Sequence, residues 1–301
     1  MSLPADAHRA VPTLVAVETL PKAVWAARRA AHEARVDAWV RPHLRRRRLG
    51  VAHPVEDFLF TYYAQRPSAL RRWHPGFGTA LEGACEHLAL KGYVEAAGAA
   101  TVSTEHVRSQ RRLLEGLHAL LTATAGRPPR LGCLGLHEWA MVYRQSQAEV
   151  RHRAWPLRLG PEGTDTVVES HRIACSHFDA FRFFTAEARP RNALQPGRED
   201  RAAFEQPGCL HAGMDLYKHA FRLSPMVPSE LVADCFALAR DIRVLDMRAS
   251  PYDLTGLGHP PVRIETSAGK QEYVEAQQRF AERAAPLRQR LIEECERLLS
   301  A

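Results

Sequence analysis

Nothing in the 301 residues approaches the roughly 20-residue apolar run that a membrane-spanning helix needs, so no membrane partner is expected. Paired cysteines at metal or redox spacing are also missing. Cys85, Cys133, Cys175, Cys209, Cys235 and Cys295 are scattered without a CxxC, which suits free thiols and excludes a disulfide framework. The first 30 residues carry Glu18 and several arginines but no short apolar block with a small-residue cleavage site. The expected compartment is therefore the cytoplasm. Lysine is scarce, with only Lys22, Lys91, Lys218 and Lys270 beside a large arginine complement. A GC-rich coding bias produces that pattern by itself, so the net charge of +7 permits an anionic partner without requiring one. No HExxH, no Cys/His finger, no internal repeat and no low-complexity linker occurs.

What is present is a mostly helical pattern. Hydrophobic content of 46% and charged content of 25% fit a globular chain with a sizeable core. Residues 1–20 read as a loose arm and 21–301 as one helical domain. A polar Ala/Arg-rich helix runs from Pro21 to about Leu49, with Pro42 expected to kink or interrupt it. A helix over 103–125 places Val107, Leu114, Leu117 and Leu121 on one side, and another starts near Leu136. Residues 155–174, WPLRLG–PEGTD–TVVESHRIA, read as a β-hairpin around a Gly-containing turn. VRIET near 262 reads as a short strand, and Gln271 to Leu299 as a long terminal helix. The fold class expected is mainly α, one helical domain with a small β-hairpin insertion, with α+β as the alternative.

The stretch from Glu205 to Leu254 concentrates the chemistry. After the breaker Gln206-Pro207-Gly208, Leu210, Met214, Tyr217 and Phe221 trace one helical face. Beside it His211, Asp215 and His219 recur every four residues, which makes them neighbours on a helix surface. Such a ladder binds a metal or passes a proton; it is also what an ordinary helix-surface ion pair, worth a few tenths of a kcal/mol, looks like. His137-Glu138 at a helix start, and His177 with Asp179 inside the apolar segment CSHFDAFRFF, are further candidates. Charged groups in such surroundings are either paired or functional, since an unpaired buried charge costs several kcal/mol. Structural pairs Asp246–Arg248 and Asp179–Arg182 are the bland expectation. A metal reading would draw its ligands from His137, Glu138, His177, Asp179, His211, Asp215 and His219, with Zn, Fe or Mn as the suited ions and a small molecule as substrate.

Two basic groups stand apart. Arg45 to Arg48 form a run of four, and Arg71-Arg72-Trp73-His74 sets cations beside a ring, as phosphate contact and base stacking require. A solvated basic surface has the same appearance.

Five phrases carry a resemblance: HPVEDFLFTYY (53–63), RPSALRRWHPG (66–76), HFDAFRFF (177–184), QPGCLHAGMDLYKHA (206–220) and LDMRASPYDL (245–254). Together they are similar to a bacterial, mainly actinobacterial, family of about this length commonly labelled 3-methyladenine DNA glycosylase. The resemblance spans roughly residues 30–290. It implies a base-excision hydrolase that removes alkylated bases from DNA without a cofactor. Such an enzyme draws its base out of the duplex, stacks it on aromatic rings and uses a carboxylate against the developing oxocarbenium charge. The residues available for these tasks are Arg71 and Arg72 for phosphate, and Trp73, Tyr62, Tyr63, Trp139 and Tyr143 for stacking. Asp215 or Asp179, with His177 and His211, would supply the catalytic chemistry. The Gly-hydrophobic-Gly hairpin of helix-hairpin-helix glycosylases is not reproduced, since PPRLGCLGLHEWA spaces its glycines at 132 and 135. Two other readings stay open: a metal-dependent enzyme on a helical scaffold, and a non-catalytic nucleic-acid-binding protein.

Overall fold

A computed structural model describes residues 18–63 and 65–301. In chain order, β1 (Glu18–Leu20) leads into α1 (Lys22–Arg48), then α2 (Phe58–Tyr62), α3 (Pro67–Arg71), β2 (Thr79–Glu82) and α4 (Cys85–Leu88). β3 (Tyr93–Ala96) and β4 (Ala99–Val102) precede α5 (Thr104–Ser109), α6 (Arg111–Ala125), α7 (Leu136–Ala140) and α8 (Gly160–Ser170). The remainder is α9 (Phe178–Phe181), α10 (Arg201–Phe204), α11 (Leu210–Arg222), α12 (Ser229–Arg248) and α13 (Ser267–Leu299). Among the described residues the fold is mainly α with one small sheet.

The sequence pattern explains the centre. Leu210, Met214 and Tyr217 are buried as expected, and so are Leu216 and Ala220 on the other side of α11, because α12 and α13 both pack against it. Met214, Leu216 and Tyr217 are each 0% exposed. Removing such side chains from water is worth about 1.5–3 kcal/mol apiece, which is why this helix stands where packing is densest. Gly213 permits the close approach, since a Cβ there would stand 2.8 Å from Ile242 Cδ1 of α12. Pro228 precedes α12, which begins at Ser229 as the sequence indicates.

Several expectations are corrected. Among the described residues no hairpin forms over 155–174: residues 160–170 are α8, with only an isolated bridge pairing Leu157 with Tyr252 and another pairing Ile173 with Asn192. Pro161 fits the first helical turn, where its missing N–H costs nothing, and burial of Val167 and Val168 overrides the strand preference of β-branched residues. The sheet lies instead in the order β1-β2-β4-β3, with β1 parallel to β2 and the other pairs antiparallel. The β3–β4 turn is Ala97-Gly98, both at positive φ (50° and 78°), matching the twist that a two-residue hairpin needs. Residues 18–20 of the expected loose arm are β1; the rest of that arm lies outside the described residues. Residues 262–266 are irregular, although Val262 and Ile264 are fully buried. α1 runs unbroken through Pro42, and the helix expected over 103–125 is divided at Gln110 into α5 and α6.

Candidate functional site

The ladder on α11 is buried throughout, but its three rungs face different partners. Asp215 is a charge hub. Its Oδ1 accepts from Tyr63 Oη at 2.9 Å, and its Oδ2 accepts from Arg201 Nη2 at 2.8 Å and Lys218 Nζ at 3.4 Å. Arg201 also binds Glu205, and His177 Nε2 stands 3.5 Å from both Glu205 and Asp215. Burial alone would raise the Asp215 carboxyl, but His177, Lys218 and His219 outweigh it and hold the group well below the carboxylate range. His219 is 2% exposed with an unpartnered Nδ1, and burial pushes it down to about 3, so its imidazole is neutral.

A second network surrounds His211. Its ring lies 4.5 Å from that of His137 and 5.3 Å from that of His177. His137 Nε2 and Asp246 Oδ1 are 2.7 Å apart. Arg243, itself 1% exposed, donates from one Nη1 to Asp246 Oδ2 at 2.6 Å and to Glu138 Oε1 at 2.9 Å. Its guanidinium carbon sits 3.8 Å from the Phe58 ring centroid. Burial would depress His137, but the Asp246 charge overcomes it and holds the imidazole well above its ordinary value, hence protonated. His211 moves the other way, because burial and the neighbouring His137 charge both disfavour a second cation. Asp246 is correspondingly held low, burial being outweighed by His137 and Arg243.

Donor atoms of His137, His211 and Asp246 lie within 4.8 Å of one another, the one such trio of metal-binding groups among the described residues. Both oxygens of Asp246 are already engaged, one by His137 and the other by Arg243. The trio therefore reads as a closed ion-pair network. Of the seven side chains expected as a ligand set, only His137 and His211 belong to it.

Between these networks opens a cavity of about 210 Å³. Its walls carry four rings, Phe58, Tyr62, Phe183 and Tyr252, with Met141 and Val142 between them. Its polar groups are Glu138, Asp179, Glu149, Gln145, His211, Arg243, His152 and Arg151. Of the three carboxyl groups, Glu149 is held low by hydrogen bonds from Ser146, and Glu138 and Asp179 are tuned in opposite directions. Burial raises Glu138, with Arg243 only partly offsetting it. Burial would raise Asp179 too, but Lys218 Nζ at 2.8 Å holds it below its ordinary value. His152 is pushed down to about 4 by burial and by the charge of Arg243, and so lines the slot as a neutral imidazole. Arg151 and Arg182 lie 5.7 and 4.4 Å from the Phe183 ring, and Arg151 and Arg153 line an adjoining depression with His53 and Trp155.

Of the expected site residues, the structure brings Glu138, Asp179, His211 and Tyr62 to one cavity. Tyr63 is turned to Asp215. Trp73 is 1% exposed and donates its indole N–H to Glu230, while Trp139 is 0% exposed and donates to Ala249 O. Neither ring offers a free face for stacking, and Tyr143, 1% exposed, belongs to the core. Arg71 is tied to Asp37 and Glu33 of α1, and neither it nor Arg72 borders the slot. Arg46 of the four-arginine run is bound to Asp57. Asp179 does pair with Arg182, at 3.2 Å, but Asp246 pairs with Arg243 in place of Arg248, which turns to Pro260 O and Glu272. Phe58, His152, Phe183 and Arg243 do not stand out in the sequence. An aromatic next to the acidic Glu56 and Asp57, and another next to Arg182, are the available signals. No protein-family model, no curated protein and no solved structure matches the chain.

Proposed function

We propose that the slot holds a planar, electron-poor nucleobase and that the protein hydrolyses the N-glycosidic bond of an alkylated base in DNA. The observation that carries this reading is the placing of Glu138 and Asp179 in one ring-lined cavity with their proton affinities driven apart. Two carboxyl groups so separated supply an acid and a base from the same residue type. Glu138, the carboxyl whose proton affinity burial raises, donates a proton to the departing base. Asp179 stays ionised and orients water or stabilises the developing positive charge on the sugar. Tyr62, stacked on Phe58, is the ring that takes the base, a stacking contact of this kind being worth about 1–3 kcal/mol. A slot of about 210 Å³ suits a single heterocycle drawn out of a duplex. Neutral His211 and His152 complete a lining that hydrogen-bonds the base edge without adding charge. Arg151, Arg153 and Arg182 near the mouth take the phosphate role expected of Arg71 and Arg72. The resemblance of residues 30–290 to the glycosylase-labelled family agrees with this chemistry.

The test is release of free base from methylated duplex DNA by the full chain. Glu138→Gln and Asp179→Asn should each lower the rate by about 10²–10⁴, the range for a general acid or base. Absence of base release by the wild-type protein, from either duplex or single-stranded methylated DNA, would overturn the proposal.

A further inference from the structure

α7 presents chemistry in two directions. Glu138 faces the ring-lined slot, whereas His137 lines a second cavity of about 370 Å³. Cys133, Cys175 and Cys209 line that second cavity with it, and of the three only Cys133 is part-exposed. The turn that carries Cys133 is strained. Leu134, a side-chain-bearing residue, sits at φ 48° and Gly135 at φ 68°. Residues with a side chain are uncommon in this left-handed region and persist where the surrounding structure over-determines the backbone.

Polar groups surround the Cys133 sulfur. Gln277 Nε2 donates to Cys133 Sγ at 3.4 Å, and Tyr273 Oη stands 3.7 Å away. His137 lines the same cavity, and burial, which would raise the Cys133 thiol, is outweighed by the His137 charge, which draws it below its ordinary value. His137 is in turn bonded to Asp246 at 2.7 Å. Sulfur, imidazolium and carboxylate thus lie in one network, as in a thiolate nucleophile activated by a neighbouring protonated imidazole. Arg130 and Arg172 line the same cavity, both exposed, and among the described residues neither guanidinium has a carboxylate partner.

We propose that Cys133, His137 and Asp246 form a nucleophile relay, and that this second cavity takes a small anionic donor of an electrophilic carbon and transfers that carbon to the Cys133 sulfur. His137 already carries its proton and stabilises the Cys133 thiolate as its imidazolium partner. The sulfur lone pair forms an S–C bond as the bond from that carbon to its leaving group breaks. The bonding pair departs with the leaving group, which receives the proton from His137. No oxidant or reductant enters, and Arg130 and Arg172 select for negative charge on the donor. The slot and its base chemistry play no part in this step.

The experiment uses the reduced full chain with iodoacetate and iodoacetamide, each limiting, and maps adducts by peptide mass spectrometry. Both probes form the S–C bond and expel iodide, and exposed Cys85 serves as the internal reference. Cys133 should react at least about tenfold faster than Cys85, since a thiolate and not a thiol is the nucleophile. Iodoacetate should be favoured over iodoacetamide at Cys133 relative to Cys85. The surface pair Arg130→Ala/Arg172→Ala, which disturbs no buried side chain, should bring that ratio down to the Cys85 value. His137→Asn should slow Cys133 to the rate of Cys85. Equal reactivity of Cys133 and Cys85 in the wild-type protein would overturn the relay. An unchanged probe ratio in the double arginine variant would overturn the anionic donor.

Discussion

Glu138 and Asp179 line the same cavity with opposite proton affinities, one raised by burial and the other lowered by the ammonium of Lys218. A rate that needs Glu138 protonated and Asp179 ionised rises as pH climbs through the low Asp179 value and falls as pH passes the elevated Glu138 value. The profile of kcat/KM for base release is therefore expected to be bell-shaped, with its alkaline limb belonging to Glu138. Glu138→Gln should remove that limb along with most of the rate. An alkaline limb that survives in Glu138→Gln would assign the acid to another group.

Lys218→Met brings the two proton affinities closer together. Without the ammonium at 2.8 Å, burial acts on Asp179 with less opposition and its proton affinity rises. The acid limb should move to higher pH while the alkaline limb stays. The same variant removes a 3.4 Å interaction with Asp215, so unfolding must be measured in parallel to separate a shifted profile from a weakened fold.

Asp215 is expected to matter through folding. It is 1% exposed and receives Tyr63, Arg201 and Lys218. Asp215→Asn keeps the shape but leaves Arg201 against one carboxylate in place of two. Breaking such a buried pair costs about 3–5 kcal/mol, and the part-exposure of Arg201 places the loss toward the low end. Because the Asp215 carboxyl is held low when folded, its stabilisation is complete above the ordinary aspartate range and disappears as pH falls through the folded value. Urea unfolding at neutral and at acidic pH should show the wild type approaching the variant only at the acidic end. A variant as stable as the wild type at neutral pH would leave the hub without energetic weight.

How legible was this in the sequence? Helices α11 and α12 were, because Gln206-Pro207-Gly208 and Pro228-Ser229 punctuate strong apolar periodicity. The sheet was not: β3 and β4 are Ala-rich, and their Ala97-Gly98 turn lacks the Asn-Gly signal. Residues 160–170 reversed the expectation because Val167 and Val168 gain more from the core than strand propensity offers. At the site, Glu138, Asp179 and His211 stood out as polar groups in apolar surroundings. Helix spacing favours Arg243, three residues from Asp246 on the same face of α12, over Arg248 two residues away, so that pairing was legible. The loss of Trp73 and Trp139 as stacking rings depends on acceptors more than 100 residues away, about which local spacing carries no information.

The basic surface divides in the same tertiary way. Arg71 is held by Asp37 and Glu33, so Arg71→Ala should leave affinity for duplex DNA nearly unchanged. Arg151→Ala and Arg153→Ala, beside the slot, should weaken it and flatten its salt dependence, by roughly 0.9 in the slope of log K against log salt for each phosphate left unneutralised. Fluorescence anisotropy across a salt series measures both quantities. Equal losses of affinity from Arg71→Ala and Arg151→Ala would move the DNA path to α1 and α3.

The His137–His211–Asp246 trio yields the last expectation. A divalent ion there must displace Arg243 from Asp246 and deprotonate His137, so binding would have to overcome two interactions already made in the buried network. Untagged protein should accordingly carry Zn, Fe and Mn well below one equivalent by elemental mass spectrometry, and EDTA should change neither its unfolding temperature nor base release. A near-stoichiometric metal lost in His211→Ala would mean that Arg243 swings away from Asp246. The slot would then be the substrate side of a metal centre, and the acid role given to Glu138 would fall with it.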